Sequence, residues 1–298
     1  MKKHGMWKLF AALIITTRLG AQESGRQDVE SSTKLEFLVS SSPEMQIGVI
    51  QEFVFPFLRG DEPLNKTNGM ALQLAGYLTP FTLESSAAAV WTPAPFFSVS
   101  LGGWAGIGWN YSIQDMVTFK GMGLYYSDGA DEWTEGSGLD GVVWKFHAGA
   151  TVQFDLAAFW PGDWHHVVVR SYHEIHYRAY SGAEGGEWWY WKMDDGINQN
   201  AFRYHFTVFA GYAMPVFLDL AGFYIEGTAQ FFNPAAGKRI EGQGVGLELS
   251  LLLNFRITDR FSILTRTRIK HKLEHPITGD FKRTWAFNGI AAAATLIL

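Results

Sequence analysis

"RFSILTRTRIKHK", residues 260–272, is the stretch whose reading decides the fold. A β-strand sends alternate side chains to opposite faces. One face then carries Arg266, Arg268, Lys270 and Lys272, each about 7 Å from the next along the strand. The other face carries Phe261, Ile263, Thr265, Thr267 and Ile269. Four cations in a row need water or carboxylates, and the opposite row needs an apolar medium. The rest of the chain shows which medium each face meets.

Two-residue alternation continues along most of the sequence, and no segment holds a helical period over eleven or more residues. It predicts twelve strands, within a range of ten to fourteen, at 45–58, 69–79, 82–91, 96–111, 116–126, 140–158, 165–180, 200–213, 217–232, 240–256, 260–273 and 282–297. In 240–256, Val245, Leu247, Leu249, Leu251, Leu253 and Phe255 share one side, while Gly244, Gly246, Glu248, Ser250, Asn254 and Arg256 share the other, with Leu252 out of place. The connections mostly alternate between short and long, "TPAP" at 92–95 being the exception. A transmembrane barrel has this rhythm, with tight turns at its periplasmic end and longer loops outside. A soluble sandwich alternates too, but several of these strands exceed the usual three to ten residues. Trp91, Trp109, Tyr111, Trp160, Trp164, Tyr180 and Tyr212 also fall near strand ends, where interfacial girdles lie. The expected fold is an all-β, up-and-down antiparallel transmembrane barrel.

Residues 1–22 read as a secretory signal: "MKKHGMWK" is basic, "LFAALIITT" is a short apolar run, and "RLGAQ" offers small residues for cleavage after Ala21. Residues 23–43 read as a polar periplasmic lead-in, within which "KLEFLVS" offers a short extra strand or a plug, and 44–298 as the barrel, with both termini periplasmic. Four of the 24 basic residues fall in 1–22 and no acidic ones do, so 20 face 29, a net charge of −9. That balance argues against nucleic-acid binding. With no cysteine, disulfides, thiolate metal sites and cysteine nucleophiles are excluded.

The signal "MKKHGMWKLFAALIITTRLGAQ", the alternating strands and the final strand "RTWAFNGIAAAATLIL" resemble bacterial outer-membrane β-barrel proteins, with a spirochaetal cast. The resemblance covers roughly 44–298 and implies a Gram-negative outer membrane. Many such proteins end in an aromatic residue; this chain ends in Leu298.

If the apolar faces meet lipid, Arg170, Arg178, Arg203, Arg266, Arg268, Lys270 and Lys272 line the interior with Glu174, Glu226 and Glu248. The hairpins place Glu248 opposite Arg268 or Lys270, and Glu226 opposite Arg203 or His205. Two uses of such an interior stand side by side: a salt-bridge network that fills the barrel, and a basic constriction that draws small polar or anionic solutes through a channel. Trp188, Trp189, Tyr190 and Trp191 form an aromatic cluster in the loop 181–200. It serves either as a surface for a host or other extracellular ligand, making the protein an adhesin, or folds into the lumen or the membrane interface. Loop acids, among them Asp61 and Glu62, read as a solvated outer surface. "GGWAGIG" at 102–108 eases curvature or interior crowding. His173 and His176 of "HEIH" point to opposite faces of a strand, so no metal site is expected, and no cofactor. A third alternative is a lipid hydrolase. No His-x-Ser pair occurs, however, and neither His147 with Asp155 nor His176 with Glu174 has a serine beside it, so catalysis is not expected. The leading expectation is a porin-like channel, with outer-membrane lipid and the permeating solutes as its partners.

Overall fold

A computed structural model describes residues 29–41, 44–60, 68–113, 117–125, 139–184, 186–192, 198–233, 238–239, 245–273 and 283–298. Twelve long strands form the wall: β1 Glu30–Ser40, β2 Glu44–Pro56, β3 Gly69–Thr79, β4 Thr82–Ala94, β5 Phe97–Gly108, β6 Val143–Asp155, β7 His166–Tyr180, β8 Ala201–Ala213, β9 Leu218–Asn233, β10 Gly246–Arg256, β11 Phe261–Leu273 and β12 Arg283–Ile297. Each pairs antiparallel with the next, and β12 pairs with β1 from Lys34↔Ile297 to Ser40↔Ala291, closing the barrel. Closure leaves no sheet edge unpaired, which hydrocarbon requires.

The strand count agrees with the sequence expectation through two offsetting differences. The segment read as a lead-in contains β1, so the barrel begins at Glu30 and not at residue 44. Its inward Lys34 and Glu36 are 2% and 3% exposed, while Leu35, Phe37 and Val39 point outward. Charges on the inner face give this strand the composition of a polar leader. In exchange, 116–126 adds no strand to the wall: Val117–Phe119 hairpins with Tyr111–Ile113, and Met122–Tyr125 pairs with Trp188–Trp191. Residues 1–28 lie outside the described part of the chain, and the expected signal peptide with them.

This exchange also resolves the exception at "TPAP". The connections at 57–68, 95–96, 156–165, 214–217 and 257–260 all join strands at the end that carries both termini. Those at 41–43, 80–81, 109–142, 181–200, 234–245 and 274–282 join them at the other end. The long loops mark that second end as extracellular and the termini as periplasmic. The connection carrying Asp61 and Glu62 therefore belongs to the periplasmic end, although both residues lie outside the described part.

Burial is inverted relative to a soluble protein. Phe223, Phe146, Leu101 and Phe287 are between 62% and 70% exposed on the outer face, while Arg203, Arg266, Arg268 and Glu174 are at most 2% exposed inside. An apolar belt of this extent is stable against lipid, not water. Trp144, Tyr177, Phe202 and Phe231 line up toward the extracellular side with ring centroids 5.1 to 6.3 Å apart from one to the next. Trp160, Trp164 and Tyr212 stand at the periplasmic side, where the Tyr212 hydroxyl donates to the Trp164 carbonyl at 2.6 Å. These are the two aromatic girdles of a membrane barrel. Tyr180, expected among them, instead points inward and is buried.

Candidate functional site: a filled lumen and its aromatic cap

Three tiers occupy the interior. One, toward the periplasm, is apolar: Leu38, Phe209, Leu220, Tyr224, Leu252 and Leu264 form one buried cluster, and the pairs Lys34–Glu52 and Asp219–Arg256 lie nearer still to the periplasmic strand ends. Leu252, out of place in the sequence alternation, belongs to this tier. Glycine makes room for it, since a Cβ on Gly222 would stand 2.6 Å from the Phe209 ring and 2.7 Å from the Ala210 carbonyl.

The middle tier is ionic. On β7, Arg170, Tyr172, Glu174, His176, Arg178 and Tyr180 all face inward and are buried, as the alternation predicts. Glu174 collects Lys145 Nζ at 2.7 Å and the Tyr172 hydroxyl at 2.5 Å. His176 Nδ1 lies 2.8 Å from the same carboxylate. Arg266 is the second hub. It donates to Glu248 at 2.6 Å and to Ser250 at 2.8 Å, reaches Glu226 at 3.4 Å, and lies 4.8 Å over the Tyr224 ring.

Register corrects one expected pair and bears out the other at the backbone. Glu226 stands opposite Thr207 on one side and Glu248 on the other, not opposite Arg203 or His205, which face Gln230 and Thr228. Glu248 is opposite Lys270 at the backbone, yet its carboxylate bonds Arg266. Two carboxylates side by side in a barrel interior repel, and a guanidinium that reaches both removes the repulsion. Arg268 is fully buried and donates to Ser40 at 3.0 Å. Lys270 is half-buried, and the Lys272 side chain lies outside the described part.

The sequence reading also missed half of the charge balance. Among the described residues the buried cations are Lys34, Lys145, Arg170, Arg178, Lys192, Arg203, Arg266 and Arg268. The buried acids are Glu36, Glu52, Glu84, Glu174, Asp219, Glu226 and Glu248. Eight against seven leaves the cations only just ahead, a smaller excess than a basic lumen implies. The unforeseen acids Glu36, Glu52 and Glu84 sit on β1, β2 and β4, where polar composition and short alternation hid the inner face.

The third tier closes the extracellular mouth. Trp188–Trp191 pairs with Met122–Tyr125, and Trp104, Met122, Val143, Tyr180, Trp189 and Trp191 form a buried cluster. Arg178 stacks 5.2 Å from both Trp104 and Trp189, and Arg203 lies 5.8 Å from Trp189. Trp189, Tyr190 and Trp191 are no more than 2% exposed, and Trp188 is half-buried. The aromatic loop therefore takes the inward course, not that of an exposed ligand platform. "GGWAGIG" belongs to the same packing, for a Cβ on Gly106 would stand 2.8 Å from the Trp191 ring.

One polar chain lies outside the lumen. Ser171 Oγ is 2.9 Å from His173 Nε2, and His173 Nδ1 is 2.5 Å from the Tyr204 hydroxyl. The order is Ser-x-His, which a search for His-x-Ser passes over. Its depth decides its meaning. Ser171 is roughly 20 Å of strand below Tyr177 in the outer girdle and roughly 13 Å above Val167 near the inner end. At that level there is hydrocarbon and neither ester carbonyl nor water, so the three groups satisfy one another's hydrogen bonds. Asp155, proposed for His147, instead lies 2.7 Å from His166.

No family model and no curated protein matches the chain. Among solved structures, 33 chains match. A KdgM porin is 8% identical with a TM-score of 0.38, over 89% of this chain and 97% of that one. The β domain of the Bordetella autotransporter BrkA is 11% identical with a TM-score of 0.36, over 90% and 98%. The translocator domain of the autotransporter NalP from Neisseria meningitidis is 10% identical with a TM-score of 0.35, over 99% and 95%. These are likenesses of outline. The chain's own geometry, closed and apolar outside with charges within, makes it an outer-membrane β-barrel protein.

Proposed function

We propose that this barrel is closed at rest and works from its extracellular end, as a ligand-binding surface protein rather than an open diffusion pore. One observation carries the reading: fifteen charged side chains of the interior, from Arg268 at 0% to Arg170 at 8%, are shut away from solvent among the described residues, while Lys270 is half-buried. Water-filled channels keep such side chains wet. A near-neutral, paired set also sets up a weaker anion-attracting field than a ring of cations. What remains available is the outer end, to which the long connections 109–142, 181–200, 234–245 and 274–282 belong.

Planar bilayers test the closed state. Purified protein is expected to insert without stepwise conductance in molar salt, and steady open-channel steps would overturn the reading. Cells displaying the chain are expected to bind immobilised extracellular glycans or matrix proteins, and to lose binding when residues 126–138 are shortened. Binding that survives the shortening would remove the loop from the account. A second reading, solute passage after the mouth opens, is favoured by the cation excess around Glu174, where Lys145, Arg178 and Arg203 gather close to the cap.

A further inference from the structure

One attachment of the cap to the wall is ionic. Lys192, the residue after the paired segment Trp188–Trp191, places its ammonium on the Glu84 carboxylate of β4. Both are buried, Glu84 at 4% and Lys192 at 8%. The Lys192 backbone N–H donates to the Gly121 carbonyl at 2.6 Å, tying it to the neighbouring strand of the cap. Its ammonium also lies 5.7 Å from the Trp191 ring centroid.

The backbone at Lys192 has φ of 59°. A lysine seldom takes this left-handed conformation, which persists where surrounding contacts over-determine it. Glu84 is held in turn by the Thr82 hydroxyl at 3.4 Å. A Cβ on Gly106 would stand 2.8 Å from Trp191 and 3.0 Å from Glu84, so the ring and the carboxylate share one seat at the mouth. A strained residue, a buried ion pair and a glycine-made seat thus meet at one place at the mouth.

We propose that Glu84 and Lys192 form a latch that holds the Trp189–Trp191 cap over the extracellular mouth, and that its release admits small polar solutes from outside to the ionic tier. The latch rests on the closed-lumen reading above. A buried ion pair suits this use, because loss of either partner removes the attraction that offsets the burial of the other charge and favours the opened, hydrated arrangement.

The chain has no cysteine, so one introduced thiol reports alone. Thr207 faces inward at 5% exposure, on the strand that brings Arg203 to the cap and Phe209 to the apolar tier. Thr207→Cys in detergent-folded or liposome-inserted protein is expected to react slowly with a charged, membrane-impermeant maleimide. Adding Glu84→Gln or Lys192→Met is expected to raise the rate about 100-fold. The exchanged pair Glu84→Lys with Lys192→Glu is expected to restore slow labelling. Trp191→Ala, which removes the body of the cap and leaves both latch charges in place, is expected to label fast.

Heat-dependent gel migration of each variant reports whether the barrel has folded. Slow labelling in folded Glu84→Gln and Lys192→Met, with Trp191→Ala fast, overturns the latch while leaving the cap in place. Slow labelling in all three overturns the cap as the route. Fast labelling of Thr207→Cys alone overturns the closed lumen instead, a separate failure.

Discussion

At the scale of single residues, the interior is organised by a few hubs and not by a uniform field. Arg266 shows how one side chain holds several others, since Glu226, Glu248, Ser250 and the Tyr224 ring all meet its guanidinium. Replacing Arg266 with Met keeps the volume and removes the charge, leaving two adjacent carboxylates without their cation. The expected loss is about 3–5 kcal/mol of stability, read as the shift in the urea midpoint of the folded, heat-modifiable species. A loss below about 1 kcal/mol would mean that the site behaves as a solvated surface pair, and the lumen as wet.

A strand's two faces answer to two solvents. Leu251 and Leu252 of β10 are neighbours in sequence; Leu251 is 40% exposed to the lipid side and Leu252 is 2% exposed within the apolar tier. Leu252→Ala is expected to cost about 2–5 kcal/mol by opening a cavity. Leu251→Ala removes a side chain that only lipid touches and is expected to cost less than half of that. Equal effects in urea titrations would place both residues on one face or shift the register of β10. The same logic explains β1, which was hard to recognise because its inner face is occupied by Lys34 and Glu36. In a soluble strand those charges would mark the wet side of a surface element. Here they mark the inside of a wall.

For the molecule as a whole, β1 sets which connection faces which compartment. Single cysteines test the assignment in intact cells. Ser41→Cys, in the turn between β1 and β2, is expected to react with an impermeant maleimide applied from outside. Pro95→Cys and Glu62→Cys are expected to react only after the outer membrane is permeabilised. A chain that began its wall at residue 44 would reverse all three, because removing one strand inverts the side of every connection up to the next compensating change. The tiers also operate at this scale: an apolar layer below, paired charges between and an aromatic cap above close the lumen at several heights. The bilayer and labelling experiments therefore probe different closures.

The class of fold, the two faces of most strands and the inward direction of Arg170, Arg178, Arg203, Arg266, Arg268, Glu174, Glu226 and Glu248 were legible in the order of residues alone. Period-two alternation is a local property, fixed by backbone geometry, and it survives being read one segment at a time. Only the tertiary structure decided that Glu30–Ser40 closes the barrel, that Met122–Tyr125 leaves the wall to pair with Trp188–Trp191, and that Arg266 serves both Glu226 and Glu248. It also decided that Lys192 meets Glu84, 108 residues away in sequence. The physical reason is that closure and register are conditions on the whole ring of strands. Which side chains meet across a lumen depends on every pairing between them, and no single stretch of sequence contains that sum.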